Sequence, residues 1–147
     1  MGTLYLDPNR FLQENLTEQG ATAGVQGDAG VGHVHLKVGD IATARAFYVD
    51  TVGFEVTAAF RDSALFVSAG GYHHHLGMNT WHSAGAGTRT PALGLGEVSI
   101  AVPTADDLGA LRERLTGRGV RQRDTGAELS FEDPWANTVR VSVAAGS

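Results

Sequence analysis

The 147-residue chain has no cysteine, which excludes a disulfide framework, a thiolate nucleophile, a cysteine zinc site and an iron–sulfur cluster. Any metal must therefore be held by His, Asp or Glu. Basic residues are in the minority, 11 Lys and Arg against 16 Asp and Glu, and the formal charge is -5 at pH 7. The arginines from Arg112 to Arg123 are scattered rather than clustered, so a nucleic acid backbone is not an expected partner. There is no apolar run of the roughly 18 residues needed to span a bilayer, and no charged start followed by an apolar leader. The expectation is a soluble cytoplasmic protein with no membrane partner. A chain of this length buries a core without metal or disulfide staples, so folding itself does not call for a cofactor.

What is present is a repeat behind a short leader. Asp7-Pro8 reads as an N-cap and first helical proline, and Phe11, Leu12 and Leu16 recur on one face until Gly20. Residues 20–30 are mostly Gly, Ala, Thr and Gln and read as a linker, so 1–30 is expected to be a helix and linker and 31–147 the main domain. Within that domain the stretch Gly32 to Val38 alternates polar and apolar residues, and Gly96 to Val102 repeats the phase, matching His33 with Glu97 and His35 with Ser99. Each strand leads to an amphipathic helix. Asp40 caps the first, whose Ile41, Ala44, Phe47 and Tyr48 share a face up to Gly53. Thr104 with Asp107 forms a capping box for the second, with Leu108, Leu111 and Leu115.

Three strands are predicted after each helix: 54–59, 64–68 and 72–80, then 120–123, 127–131 and 138–143. The units 31–82 and 94–143 are thus each strand, helix, strand, strand, strand. The predicted fold class is α+β, with paired βαβββ units forming one eight-stranded, open barrel-like sheet around a shared cleft. Alternation sends Leu36 and Val38 to the helix side and His33, His35 and Lys37 to the cleft. Carried through 72–80, it puts His73, His75, Gly77 and Asn79 in the cleft and His74 in the apolar layer. In the second unit it leaves Glu97, Ser99 and Arg140 on the cleft face.

The duplicated unit, the start Val31-Gly32-His33-Val34-His35-Leu36, Ala46-Phe47-Tyr48 before Val52-Gly53-Phe54, and the run Tyr72-His73-His74-His75 leading to Asn79 and Trp81 together resemble the vicinal oxygen chelate superfamily. That superfamily holds glyoxalase I, extradiol dioxygenases and the bleomycin and fosfomycin resistance proteins. The stretch resembles most the C-terminal half of catechol 2,3-dioxygenase-like proteins. Asp133-Pro134-Trp135-Ala136-Asn137 is similar to the family's Asp-Pro-x-Gly-Asn turn, with Ala136 at the glycine position.

The resemblance implies metal ligands on the first and last strand of each unit: His33 and Glu97, with His75 or its neighbour Gly77, and Arg140. Arg140 departs from the family's glutamate. His33, His75 and Glu97 remain as a two-histidine, one-carboxylate set suited to Fe(II), Mn(II) or Ni(II). On this reading the protein acts on a small molecule with adjacent oxygens, as in catechol ring cleavage, and His35 or His73 moves a proton. Tyr72, Asn79, Trp81 and Arg140 would contact the substrate. The alternative is a binding or sequestering protein that keeps the cleft without a metal, which Arg140 favours. His74 is expected to be structural, and Glu97 with Arg140 could equally be a stabilising ion pair. Because the leader lies outside the repeat and a similar segment joins the halves of the resembled two-domain proteins, a homodimer is expected.

Overall fold

The computed structural model describes residues 5–22, 31–90 and 92–144, and most of the expected linker lies outside them. The chain divides into two units, Met1–Val31 and Gly32–Ser147. In the first, helix α1 (Pro8–Asn15) starts where expected: Asp7 accepts hydrogen bonds from the amides of Asn9 and Arg10, with proline in the first turn. It stops earlier than expected. A second short helix, α2 (Glu18–Thr22), begins after Thr17, whose Oγ1 accepts from the amide of Gly20, so that glycine lies inside a helix rather than ending one. Phe11, Leu12 and Leu16 are all exposed.

The second unit contains the repeat. Its first half is β1 (Val34–Lys37), α3 (Ile41–Phe47), β2 (Glu55–Phe60), β3 (Ala64–Ser68) and β4 (Leu76–Asn79). Its second half is β5 (Glu97–Val102), α4 (Ala105–Gly117), β6 (Gln122–Asp124), β7 (Glu128–Glu132) and β8 (Thr138–Val143). The local causes are those the sequence announces. The Asp40 side chain accepts from the amide of Thr43, and Thr104 and Asp107 satisfy each other's amides in a capping box. One local feature was not announced: α3 continues as a π-helical turn (Tyr48–Val52), closed by Gly53 in the left-handed region at φ 100.

The strand orders are β1-β4-β3-β2 and β5-β8-β7-β6, the same arrangement twice. β1 and β4 are parallel, with His35 opposite Gly77, and β5 and β8 are parallel, with Ser99 opposite Arg140. The paired βαβββ units of the predicted fold class are present, and among the described residues their eight strands lie in two four-stranded sheets, no strand of one being hydrogen-bonded to a strand of the other. One expectation is corrected: the sheets are joined by their helix sides instead of facing each other across a cleft. A single apolar core takes in Leu36, Val38, Phe47, Leu65 and Met78 from the first half and Leu108, Leu115, Leu129, Val139 and Val141 from the second.

The physical reason is where the apolar and hydrogen-bonding surface lies. Phe47 meets Phe131 with ring centroids 6.1 Å apart, and the buried Tyr48 hydroxyl donates to Asp133 Oδ2 at 2.9 Å. Arg114 on α4 donates to the carbonyl of Val52, and Trp135 Nε1 to that of Ala86. The opposite faces, with His33, His35 and Lys37 in one sheet and Ser99, Ala101 and Arg140 in the other, are exposed. The first unit's last strand is also shorter than the predicted 72–80. Gly70 and Gly71 take left-handed φ values of 65 and 77, the chain bends at His73 and His75, and hydrogen bonding to the neighbouring strands begins at His75, whose amide donates to Val67, with the strand itself starting at Leu76.

Candidate metal centre

The shortened strand decides which histidines meet. His33 precedes β1 and His35 lies on its exposed face, with ring centroids 5.3 Å apart. Freed from strand alternation, His74 swings to the same side: its ring lies 4.4 Å from His33, 5.7 Å from His35 and 5.1 Å from Phe66. One ring nitrogen from each of His33, His35 and His74 lies within 4.8 Å of the others. His74 is the buried member, only 6% exposed, and neither of its ring nitrogens has a hydrogen-bond partner. Leaving a buried polar group unpaired costs about 1–3 kcal/mol, so this nitrogen pair is an unmet demand for a ligand. Burial, and after it the charges that His33, His73, His35 and His75 carry when protonated, hold the His74 imidazole below its ordinary pKa. It is therefore kept neutral, with a lone pair to give.

The set expected from the sequence is not the one assembled. His75 was expected among the ligands, but its Nδ1 accepts from the amide of Ala69 at 3.3 Å and lies 3.2 Å from Ser68 Oγ, tying the ring to the end of β3. His74, expected in the apolar layer, takes its place beside His33. Gly77, the neighbouring alternative, faces His35 and has no ligand atom. Glu97 belongs to the other sheet. Its Oε2 pairs with Arg140 at 2.9 Å, and its Oε1 accepts from Ser99 at 3.1 Å. Arg140 also reaches Glu128 at 3.4 Å, an ion pair arrangement consistent with the stabilising reading. Among the described residues neither His75 nor any carboxylate belongs to the three-nitrogen group. The signal for His74 was in the sequence: Gly70-Gly71 before a histidine run argues for a turn, against alternation through it.

The remaining predicted residues surround the cluster unevenly. His73 is exposed, edge-on to His33 at 5.7 Å and 4.2 Å from Tyr72. The Tyr72 ring in turn lies 4.8 Å from His75. Asn79 Oδ1 accepts from the amide of Trp81, so that side chain shapes the turn after β4, and Trp81 is 57% exposed. Phe66 lies 5.9 Å from His35 and 6.0 Å from Phe60, giving the cluster an aromatic flank that the sequence pattern did not single out. A shallow depression of about 600 Å³ on the second sheet, lined by Arg121, Arg123 and Glu132 among others, holds none of these histidines.

The donor set fits a divalent first-row ion. Three imidazoles converge within ligand reach, one of them buried, kept neutral and otherwise unpartnered.

Comparison with known proteins gives consistent findings. Residues 30–141 match the family model described as the Glyoxalase/Bleomycin resistance protein/Dioxygenase superfamily. A catechol-2,3-dioxygenase of Bacillus subtilis (strain 168) is 35% identical over 136 residues, covering 91% of this chain and 47% of that protein. The chain thus spans about half the length of that curated relative. Among solved structures, lactoylglutathione lyase from Agrobacterium tumefaciens superposes with a TM-score of 0.61 at 17% identity, over 81% of this chain and 96% of its own. A glyoxylase/bleomycin resistance protein/dioxygenase domain from Frankia sp. EAN1pec gives 0.60 at 23%, over 81% and 100%. A mutant fosfomycin resistance protein from Listeria monocytogenes, complexed with Mn(II) and a dihydroxypropylphosphonic acid, gives 0.58 at 15%, over 80% and 93%. At these identities the structures establish the fold alone.

Proposed function

We propose, from the premise that this chain belongs to the glyoxalase/bleomycin resistance protein/dioxygenase superfamily, that it binds a divalent metal through His33, His35 and His74 and acts there on a small molecule bearing two adjacent oxygens. The observation that carries this reading is His74, buried with both nitrogens unpartnered beside two further imidazoles. Bound there, the ion would act as a Lewis acid that both oxygens chelate. The chain's own residues do the rest. His74 is the fixed ligand, because its burial stops the ring from turning to solvent. His73 is the exposed imidazole nearest the centre without a place in it, and serves as the base that takes a hydroxyl proton from the bound molecule. Phe66 and Tyr72 flank the histidines and present ring faces to an aromatic substrate. Ring opening of a catechol, the chemistry named in the Bacillus relative, is the activity this arrangement supports best.

The histidine face is open to solvent within one chain, and this supports a homodimer in which a second copy covers it. The second reading is a binding protein that sequesters a small molecule without turning it over. The observation favouring it is Glu97, engaged by Arg140 and Ser99 and so unavailable as a carboxylate ligand. One experiment separates the two. Protein purified without a histidine tag is loaded anaerobically with Fe(II), dialysed, assayed for metal, and then given catechol and oxygen. About one ion per chain with oxygen uptake is the expected result. Retention of far less than one ion per chain with catechol still bound would select the metal-free sequestering reading, and full occupancy without oxygen uptake would remove ring opening.

A further inference from the structure

We infer that Gly77 is the residue that admits His35 to the centre, and that the resulting all-imidazole site takes its small-molecule ligand with both adjacent oxygens ionised. This rests on the three-histidine reading and extends it to the charge of the ligand.

The steric part comes from the register. His35 stands opposite Gly77 across the parallel β1 and β4 pair. A Cβ built on Gly77 would lie 2.9 Å from His35 Cε1 and 3.1 Å from both ring nitrogens. Those distances are inside van der Waals contact, so the His35 ring occupies the space that any side chain at 77 would need. A side chain on β4 at this position and His35 in the centre exclude each other. The atoms in conflict belong to the far end of the histidine, not to backbone, so a larger residue at 77 would turn the ring away and leave the sheet intact.

The electrostatic part follows from that exchange. Neutral imidazoles are the whole ligand set, and among the described residues no carboxylate joins them. The ion therefore keeps its full double charge. Lys37, exposed on the same face of β1 two residues beyond His35, adds a further positive charge to that side. A divalent ion held by neutral nitrogens acidifies bound oxygens strongly, as a three-histidine zinc does to its water, whereas an anionic ligand weakens the effect. A diol, catechol or enediol bound here would give up two protons, one to His73 and one to solvent, and its two negative charges would offset the two of the ion. The same donor set favours Zn(II), Ni(II) or Cu(II) over Mn(II) and Mg(II), which prefer oxygen ligands.

The test uses untagged full-length protein loaded with Zn(II) or Ni(II), and 4-nitrocatechol, whose singly and doubly ionised forms differ in colour. At a pH where the free probe is singly ionised, the bound probe should show the doubly ionised spectrum. His35→Glu, which adds one negative charge, should return the bound probe to the singly ionised spectrum and move metal preference toward Mn(II). Gly77→Ala should lower metal affinity about 10- to 100-fold with circular dichroism unchanged, and should add nothing to His35→Ala. A wild-type complex holding one metal but binding the probe singly ionised would overturn the charge inference while leaving the proposed function standing. Unchanged metal affinity in Gly77→Ala would overturn the steric one. A wild-type protein that retains no metal would overturn the centre and this inference with it.

Discussion

Tyr48→Phe tests the junction between the two halves of the repeat. The Tyr48 hydroxyl is buried and donates to Asp133 Oδ2 at 2.9 Å. Burial first, then the Asp133 charge and the hydrogen bond, raise the phenol far above its ordinary pKa, so it remains the donor at any pH at which the protein folds. Asp133 also accepts from the amides of Trp135 and Asn137 at 2.9 and 2.8 Å, and from Asn137 Nδ2 at 2.8 Å. Removing the hydroxyl leaves that turn intact and makes almost no cavity, so the loss is one hydrogen bond to a charged acceptor, about 1.5–3 kcal/mol. For a domain of this size that is a fall in Tm of roughly 6–12 °C. Asp133→Ala removes the acceptor of four hydrogen bonds and should cost more, about 4 kcal/mol or above. Urea unfolding of both single variants and the double variant gives the coupling between them, expected at about 1–2 kcal/mol with an unchanged m-value. Strict additivity, or a Tyr48→Phe cost below about 0.5 kcal/mol, would refute a working contact across the two halves.

Metal binding should separate adjacent histidines: His33→Ala and His74→Ala abolish retention of Ni(II) after dialysis, while His75→Ala leaves it intact and weakens only the turn at Ser68, as read by metal analysis and thermal melting. Because the folded state holds His74 below the ordinary imidazole value of about 6.5, the unfolded chain binds that proton more readily. Its contribution to stability is therefore full above that value and is lost as the pH falls below it toward the lowered folded value; urea midpoints against pH should show a shallower acid slope in His74→Leu. Ala136 sits at φ 61, where a side chain costs about 1–2 kcal/mol, so Ala136→Gly should be neutral or stabilising by up to about 1 kcal/mol in the same assay. Sedimentation equilibrium at micromolar concentration should give twice the chain mass, and a monomer there would end the proposal that a second copy covers the histidine face.

The fold was legible because its signals are local and repeated. Capping residues at Asp7, Asp40 and Thr104 fixed three helix starts, and alternation in 34–37 and 138–143 gave both strand positions and faces. Packing between the halves was not legible. Alternation states that each sheet has an apolar and a polar face, and both ways of joining the halves satisfy it: polar faces together around a cleft, or apolar faces together through the helices. Side chains that reach across, Tyr48 to Asp133, Phe47 to Phe131 and Arg114 to Val52, decide the matter, and no spacing in the sequence encodes such pairs. The π-helical turn escaped for a related reason, since an extra residue in a helix leaves the apolar pattern nearly unchanged.

The histidines show the limit of period-two reasoning at its sharpest. His73, His74 and His75 differ in sequence by one step each, so a strand that starts two or three residues late exchanges the ligand and the bystander. Alternation is valid only where ladder hydrogen bonds hold the pleat, and the ladder with β3 starts at the amide of His75, which donates to Val67, so that residues 70–74 precede it. The side chains there are directed by bends instead, which lets three consecutive rings spread to three surroundings: His73 against Tyr72, His74 between His33 and Phe66, His75 against Ser68. A regular strand would send the first and third of them to one face and could never bring the middle one to His33. Irregular backbone at the mouth of a sheet is thus the condition for a centre built from His33, His35 and His74, just as the bare Cα of Gly77 is the condition for His35 to lie flat across β4 and reach it.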